Sequence, residues 1–133
     1  MRYRAYDHST GCAVELCLEV IGGKWKGAIL SHLLGGTKRF GELRRLMPMV
    51  TQRMLTTQLR ELEDRGVIIR TAYPQVPPKV EYALSEFGRT LEPIFALMHT
   101  WGRDLMTRTP EIPAEDSCHI TLNEAARERA LLG

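Results

Sequence analysis

Thr51, Gln52, Arg53, Thr56, Thr57 and Arg60 fall within one ten-residue stretch, TQRMLTTQLR. Each ends in a hydrogen-bond donor, and two end in a guanidinium. Side chains of this kind bind phosphate oxygens and the edges of bases. Leu55, Leu59 and Leu62 recur at i, i+4 and i+7, so they form one stripe of a helix. Thr51 opens this helix and Gly66 closes it, in keeping with ordinary start and stop signals. Arg53, Thr57, Arg60 and Asp64 take the opposite face. A helix so divided can dock on a core and still present its front end to DNA. An ordinary amphipathic surface helix would carry the same stripe, so the neighbouring segments have to decide.

Other chemistries find less support. His8, His32, His99 and His119 are scattered, and no Ser/His/Asp or Cys/His order marks a nucleophile. Glu61, Glu63 and Asp64 read as a solvated helix face rather than a catalytic pair. No enzyme and no cofactor are expected. Gly22-Gly23-Lys24 lacks the spacing of a phosphate loop and follows a helix rather than a strand. The cysteines are Cys12, Cys17 and Cys118, an odd number with no CxxC pair, so free thiols are expected. With His119 they could supply four zinc ligands. However, Cys12 and Cys17 sit at the long end of structural spacings and Cys118-His119 are adjacent, so no metal is expected.

The charge distribution sharpens the picture. The 133 residues carry a net charge of +2, yet Lys24 to Lys79 holds eleven basic and four acidic side chains. The rest of the chain holds seven basic and twelve acidic ones. A basic middle between acidic ends suits a module that binds a polyanion. The length fits one domain, and the 44% hydrophobic content supports a core. No apolar run approaches the roughly 20 residues of a membrane span, and MRYRAYDHST lacks a secretory apolar region. A cytoplasmic location without membrane contact is therefore expected.

The elements that must position the donor-rich stretch follow in order. Cys12 to Ile21 reads as a short helix ended by Gly22-Gly23, with Cys17 in its apolar run. Trp25 to Leu34 reads as a second helix, Lys38 to Phe40 as a very short strand, and Glu42 to Leu46 as a third helix broken by Pro48. The donor-rich helix begins three residues after Pro48, which gives a helix-turn-helix. Ile68 to Tyr73 and Val80 to Leu84 read as strands, the latter burying Val80, Tyr82 and Leu84 on one face. Their connection, PQVPP, holds Pro74, Pro77 and Pro78, which makes a stiff tip. A helix-turn-helix followed by such a hairpin is the winged-helix order. Arg39, Arg60, Arg70 and Lys79 are the expected phosphate contacts, with Arg44 and Arg45 as second choices.

Ser85 to about Met106 reads as one long helix, N-capped by Ser85 and kinked or tightened by Pro93. Leu91, Ile94, Phe95, Met98, Trp101 and Leu105 give it an apolar stripe broader than a small winged helix can cover. With the first helix it is expected to form a dimer interface that includes Val14, Met98, Trp101 and Leu105. A ligand cavity near Trp25, Phe95 and Trp101 would fit between such helices. Arg108 to His119 reads as a polar linker, and Thr121 to Leu132 as a closing helix with a Thr121/Glu124 capping box.

CAVELCLEVIGGKW, KRFGELRRLMP, TQRMLTTQLRELEDRGVIIR, YPQVPPKVEYALSEFG and Trp101-Gly102 together resemble the HxlR family of bacterial transcription regulators. These are winged-helix proteins with MarR-like architecture. The likeness runs from Cys12 to Gly102, and PPKVEY is its most specific segment. Thr51 stands where the family typically has Ser, which keeps the hydroxyl. The resemblance implies a homodimer on a palindromic or near-palindromic operator in double-stranded DNA; a repressor is the expected role, and the sequence leaves activator open as the alternative. Some members sense electrophiles or oxidants through a cysteine just before the first helix, where Cys12 stands. The thiolate is the reactive form of cysteine, and a helix N-terminus favours it. A small buried apolar role would suit Cys12 equally.

The expected architecture is therefore mainly α (α+β): a winged helix-turn-helix with flanking N- and C-terminal dimerisation helices over residues 1–106. Residues 107–133 would form a linker and C-terminal helix. Besides redox or electrophile sensing, a regulator answering another small effector, or a winged helix used for protein contacts, would fit the same elements.

Overall fold

The structure, a computed structural model, describes residues 11–111. The expected closing helix, its capping box, Cys118 and most of the linker lie outside the described residues. The elements in chain order are α1 (Ala13–Ile21), α2 (Lys26–Leu34), β1 (Lys38–Arg39), α3 (Phe40–Leu46), α4 (Gln52–Asp64), β2 (Ile68–Tyr73), β3 (Lys79–Leu84), α5 (Glu86–Arg89) and α6 (Glu92–Arg108).

α4 lies at the centre of this order and of the core. Leu55, Leu59 and Leu62 are completely buried, as their spacing requires. They pack with Ile29, Leu30 and Leu33 of α2, Leu43 of α3, and Val67, Tyr82 and Leu84. Each such leucine contributes about 1.5–3 kcal/mol by leaving water. Both ends of α4 are set locally. The Met54 amide donates to Thr51 Oγ1 at 3.1 Å, which makes Thr51 the N-cap. Gly66 follows the C-terminus with φ +74°, a left-handed turn that glycine adopts without strain.

The sheet has the order β1-β3-β2, all antiparallel. β3 is central, with Lys38 opposite Tyr82, Arg39 opposite Glu81, and Tyr73 opposite Lys79. Tyr82 and Leu84 face the core. β2 is buried only at Ile68, so its remaining residues and the tip at 74–78 form the exposed wing, while β3 packs on the core through Val80, Tyr82 and Leu84. The helix-turn-helix, wing and mainly helical architecture are as the sequence implies.

Four local details differ from expectation. α3 begins at Phe40 rather than Glu42, because Glu42 reaches back: the Arg39 amide donates to Glu42 Oε1 at 3.0 Å. Trp25 lies just before α2 rather than in it, with a left-handed backbone at φ +77°.

The expected long helix from Ser85 is two helices, α5 and α6. Pro93 occupies the first turn of α6, where its missing amide hydrogen costs nothing, so it starts a helix rather than kinking one. Ser85 does cap α5, accepting from the Gly88 amide at 2.9 Å and donating to the Gly66 carbonyl at 2.6 Å. A Cβ at Gly88 would stand 2.0 Å from the Val67 carbonyl oxygen, so α5 rests directly on the backbone after α4.

Finally, Glu61 is not simply solvated. Its Oε2 pairs with the buried Lys26 Nζ at 2.6 Å.

Candidate nucleic-acid interface

Gln52, Arg53 and Arg60 are exposed along the outer side of α4, opposite the leucine stripe. Thr56 and Thr57 stand between them, half-buried, and line a shallow concavity of about 440 Å³ with those three residues. A larger cleft of about 760 Å³ opens between α4, the start of α3 and the wing. It gathers Arg39, Gln52, Arg60, Arg70 and Lys79, which sequence reasoning named from four different elements. Thr51 is exposed, and its hydroxyl oxygen is committed to the helix cap. Arg45, only a second choice in the sequence, also lines the cleft, as does Thr56. Thr56 follows Gln52 by four residues, the helical spacing that shares a face.

The hydroxyls of the two threonines have backbone partners. Thr56 donates its hydroxyl hydrogen to the Gln52 carbonyl at 2.8 Å, and Thr57 donates to the Arg53 carbonyl at 2.9 Å. Back-bonding of this kind is a common alternative for a hydroxyl inside a helix. Each hydroxyl thus spends its hydrogen on the helix and keeps the capacity of its oxygen to accept. Such side chains suit an amino group on a base edge or a thymine methyl better than a phosphate.

Lys79 already has partners within the wing. Its Nζ lies 2.9 Å from Glu81 Oε1 and 4.7 Å from the centre of the Tyr73 ring. The Tyr73 hydroxyl donates to Glu81 Oε2 at 3.3 Å. Glu81 also faces Arg39 directly across the β1–β3 ladder. The Lys79 hydrogen bond, aided by its charge, by Tyr73 and by Arg39, holds the Glu81 carboxyl below its ordinary value, against some desolvation. A carboxylate thus sits inside the basic wing, next to two expected phosphate contacts.

Away from this face, α1 and α6 expose large apolar side chains: Val14 at 67%, Met98 at 46%, Trp101 at 69% and Leu105 at 40%. Leu16, Leu18, Ile94 and Leu97 are exposed as well. Apolar exposure on this scale marks a surface that meets something. Phe95 is buried in the core and Trp25 packs against it, so the aromatic trio expected around a ligand cavity is divided between core and surface. Cys12 is the N-cap residue of α1, half-buried and not in a disulfide, and its side chain makes no capping bond. Cys17 is half-buried against the core, as expected. Among the described residues, no helix is long and apolar enough to cross a membrane.

Comparison with known proteins agrees with this geometry. The profile of the HxlR-like helix-turn-helix family matches residues 20–110. The chain is 58% identical over 108 residues to the HTH-type transcriptional regulator YdeP of Bacillus subtilis, covering 81% of this chain and 84% of that one. Among solved structures, the oxidised form of the redox regulator HypR superposes with a TM-score of 0.66 at 61% identity, over 70% of this chain and 96% of HypR. The diamide-treated form of YodB from B. subtilis gives a TM-score of 0.59 at 37% identity, over 70% and 93% of the two chains.

Proposed function

The chain belongs to the HxlR-like helix-turn-helix family of transcriptional regulators, and from that premise we propose that it acts as a homodimeric repressor on a palindromic operator. The observation that carries this reading is the cleft in which α4 and the wing bring Arg39, Arg60, Arg70 and Lys79 to one side of the molecule. α4 enters the major groove. Gln52 and Arg53 read base edges from its exposed front, and Thr57 offers an acceptor and a methyl group. Thr51 holds the helix start in shape and lies near the backbone of the groove. Arg39, Arg60, Arg70 and Lys79 meet phosphates, and the wing follows the DNA backbone.

Two copies pair through α1 and α6. Val14, Met98, Trp101 and Leu105 are covered in that pairing, and their exposure in the single chain supports it. Twofold symmetry then sets the two α4 helices about one DNA turn apart, roughly 34 Å. The domain responsible runs to the end of α6 at Arg108, two residues past the boundary at 106 that the sequence implies.

The second reading concerns regulation. HypR is described as a redox regulator, and Cys12 lies at the start of α1 in the proposed dimer face. Oxidation of the Cys12 thiol by a small oxidant, with loss of two electrons and two protons shared with a second thiol, would form a disulfide. That bond would change how two copies sit together and hence the spacing of their reading helices.

Selection of bound duplexes from a random DNA pool tests both readings. Reduced protein is expected to enrich a palindrome with half-site centres about 10 base pairs apart. Oxidised protein is expected to lose that preference, and Cys12→Ser to keep it under oxidant. A monomer with no preference at low salt would overturn the first reading. Equal enrichment before and after oxidation would overturn the second.

A further inference from the structure

Lys26 is 6% exposed, and the DNA-reading arrangement described above makes no use of it. It is the first residue of α2, entered from the left-handed Trp25. Its Nζ donates to Gln58 Oε1 at 2.7 Å and pairs with Glu61 Oε2 at 2.6 Å. Both partners belong to α4, on the flank of the leucine stripe and three residues apart. Residues so spaced are neighbours on a helix surface. Lys26 therefore holds α4 at two adjacent points from a different helix.

An apolar replacement of comparable size often serves stability as well as a buried ion pair does, because the desolvation cost offsets the attraction. The distinctive property of this contact is its direction. Leu55, Leu59 and Leu62 seat α4 by burial, and the hydrophobic effect is non-directional, so it constrains the roll of a helix weakly. Two short polar bonds to one ammonium are not kept if the helix turns. Side-chain tips lie about 5–6 Å from the helix axis, so a roll of about 10° displaces each reading group by about 1 Å. That distance separates a hydrogen bond to a base edge from none.

We propose that Lys26 is a positioning residue whose bonds to Gln58 and Glu61 fix the roll of α4, and thereby determine which base pairs Gln52, Arg53 and Thr57 read. The inference rests on the reading that α4 enters the major groove.

The test compares full-length wild type, Lys26→Met/Glu61→Leu and Gln58→Met. The double variant replaces the pair with apolar groups and leaves no buried charge unpaired, and Gln58→Met keeps the ion pair. Each is measured for melting temperature, for affinity to the duplex the wild type selects, and for affinity to a scrambled duplex over a range of salt. The expected result is an unchanged scrambled-duplex affinity and salt slope in both variants. The selected-to-scrambled ratio should fall about tenfold or more in the double variant, the scale of one misread base pair, and by a smaller factor in Gln58→Met. A ratio that stays at the wild-type value, whatever happens to the melting temperature, overturns the proposal and leaves Lys26 a structural residue. If the double variant does not fold, Gln58→Met decides alone: a fallen ratio supports the proposal and a retained one overturns it. A wild type that selects no sequence overturns the underlying reading as well, so the two failures are distinct.

Discussion

Arg53 and Lys79 carry the same charge and are expected to behave differently on DNA. Arg53 is exposed on the front of α4, on the side that the proposed docking turns to base edges. Arg53→Ala should cost about 1–3 kcal/mol on the selected duplex and relax preference at one position per half-site. A variant that binds the selected duplex as tightly as wild type would show that α4 is not the reading helix. Lys79 instead shares its charge with Glu81 at 2.9 Å. Glu81→Gln should tighten binding to any duplex and steepen the logarithmic salt dependence by about one unit. Titration of affinity against salt checks this, and a flatter slope would refute it.

The pH dependence has a definite sign. The Glu81 carboxyl lies below its ordinary value in the folded chain, so its pairing with Lys79 stabilises at neutral pH. That contribution is lost only as pH falls through the lowered value. Thr56 and Thr57 illustrate what a sequence does and does not disclose at this scale. Their positions on the outer face follow from spacing. The direction of their hydroxyls depends on a choice between solvent and the carbonyl four residues back, which residue type alone leaves open.

At the scale of elements, α4 and the wing were legible because their signals are local. A period-3.6 leucine stripe, a Thr cap, a terminal glycine and three prolines between two strands all act within a few residues of themselves. The division of the C-terminal helix was not legible. Pro93 can bend a helix or begin one. What decides is Gly88, whose missing side chain lets α5 sit against the Val67 carbonyl. That contact joins residues 21 positions apart. Gly88→Ala places a methyl 2.0 Å from that oxygen, and thermal unfolding should register a loss of about 1–3 kcal/mol. An unchanged melting temperature would mean that α5 is free to lift from the β2 junction. Glu61 was misread for the same reason, since Lys26 lies 35 positions earlier and no local pattern links them.

For the whole molecule, Arg39, Arg45, Arg60, Arg70 and Lys79 of the basic middle line one cleft, while α1 and α6 expose Val14, Met98, Trp101 and Leu105. In the proposed assembly, one surface meets DNA while another meets a second copy. Trp101→Glu puts a charge on the 69% exposed position of α6 and leaves the buried core untouched. Sedimentation should show a shift from dimer to monomer, with operator affinity falling because two linked half-sites become one. A Trp101→Glu protein that stays dimeric would move the pairing surface elsewhere.

β2 forms an outer margin of the sheet, with β3 as its neighbour on the inner side. An open strand margin of this composition, with Ile69 and Tyr73 uncovered, is a template on which further strands can add. Arg70 in mid-strand and the prolines beyond Tyr73 work against such stacking by charge and by missing amide hydrogens. Arg70→Val should therefore do more than remove a phosphate contact. Light scattering at rising concentration is expected to detect growing aggregates in the variant and none in the parent. The same arginine would then serve both the gene-regulatory surface and the solubility of the protein that carries it.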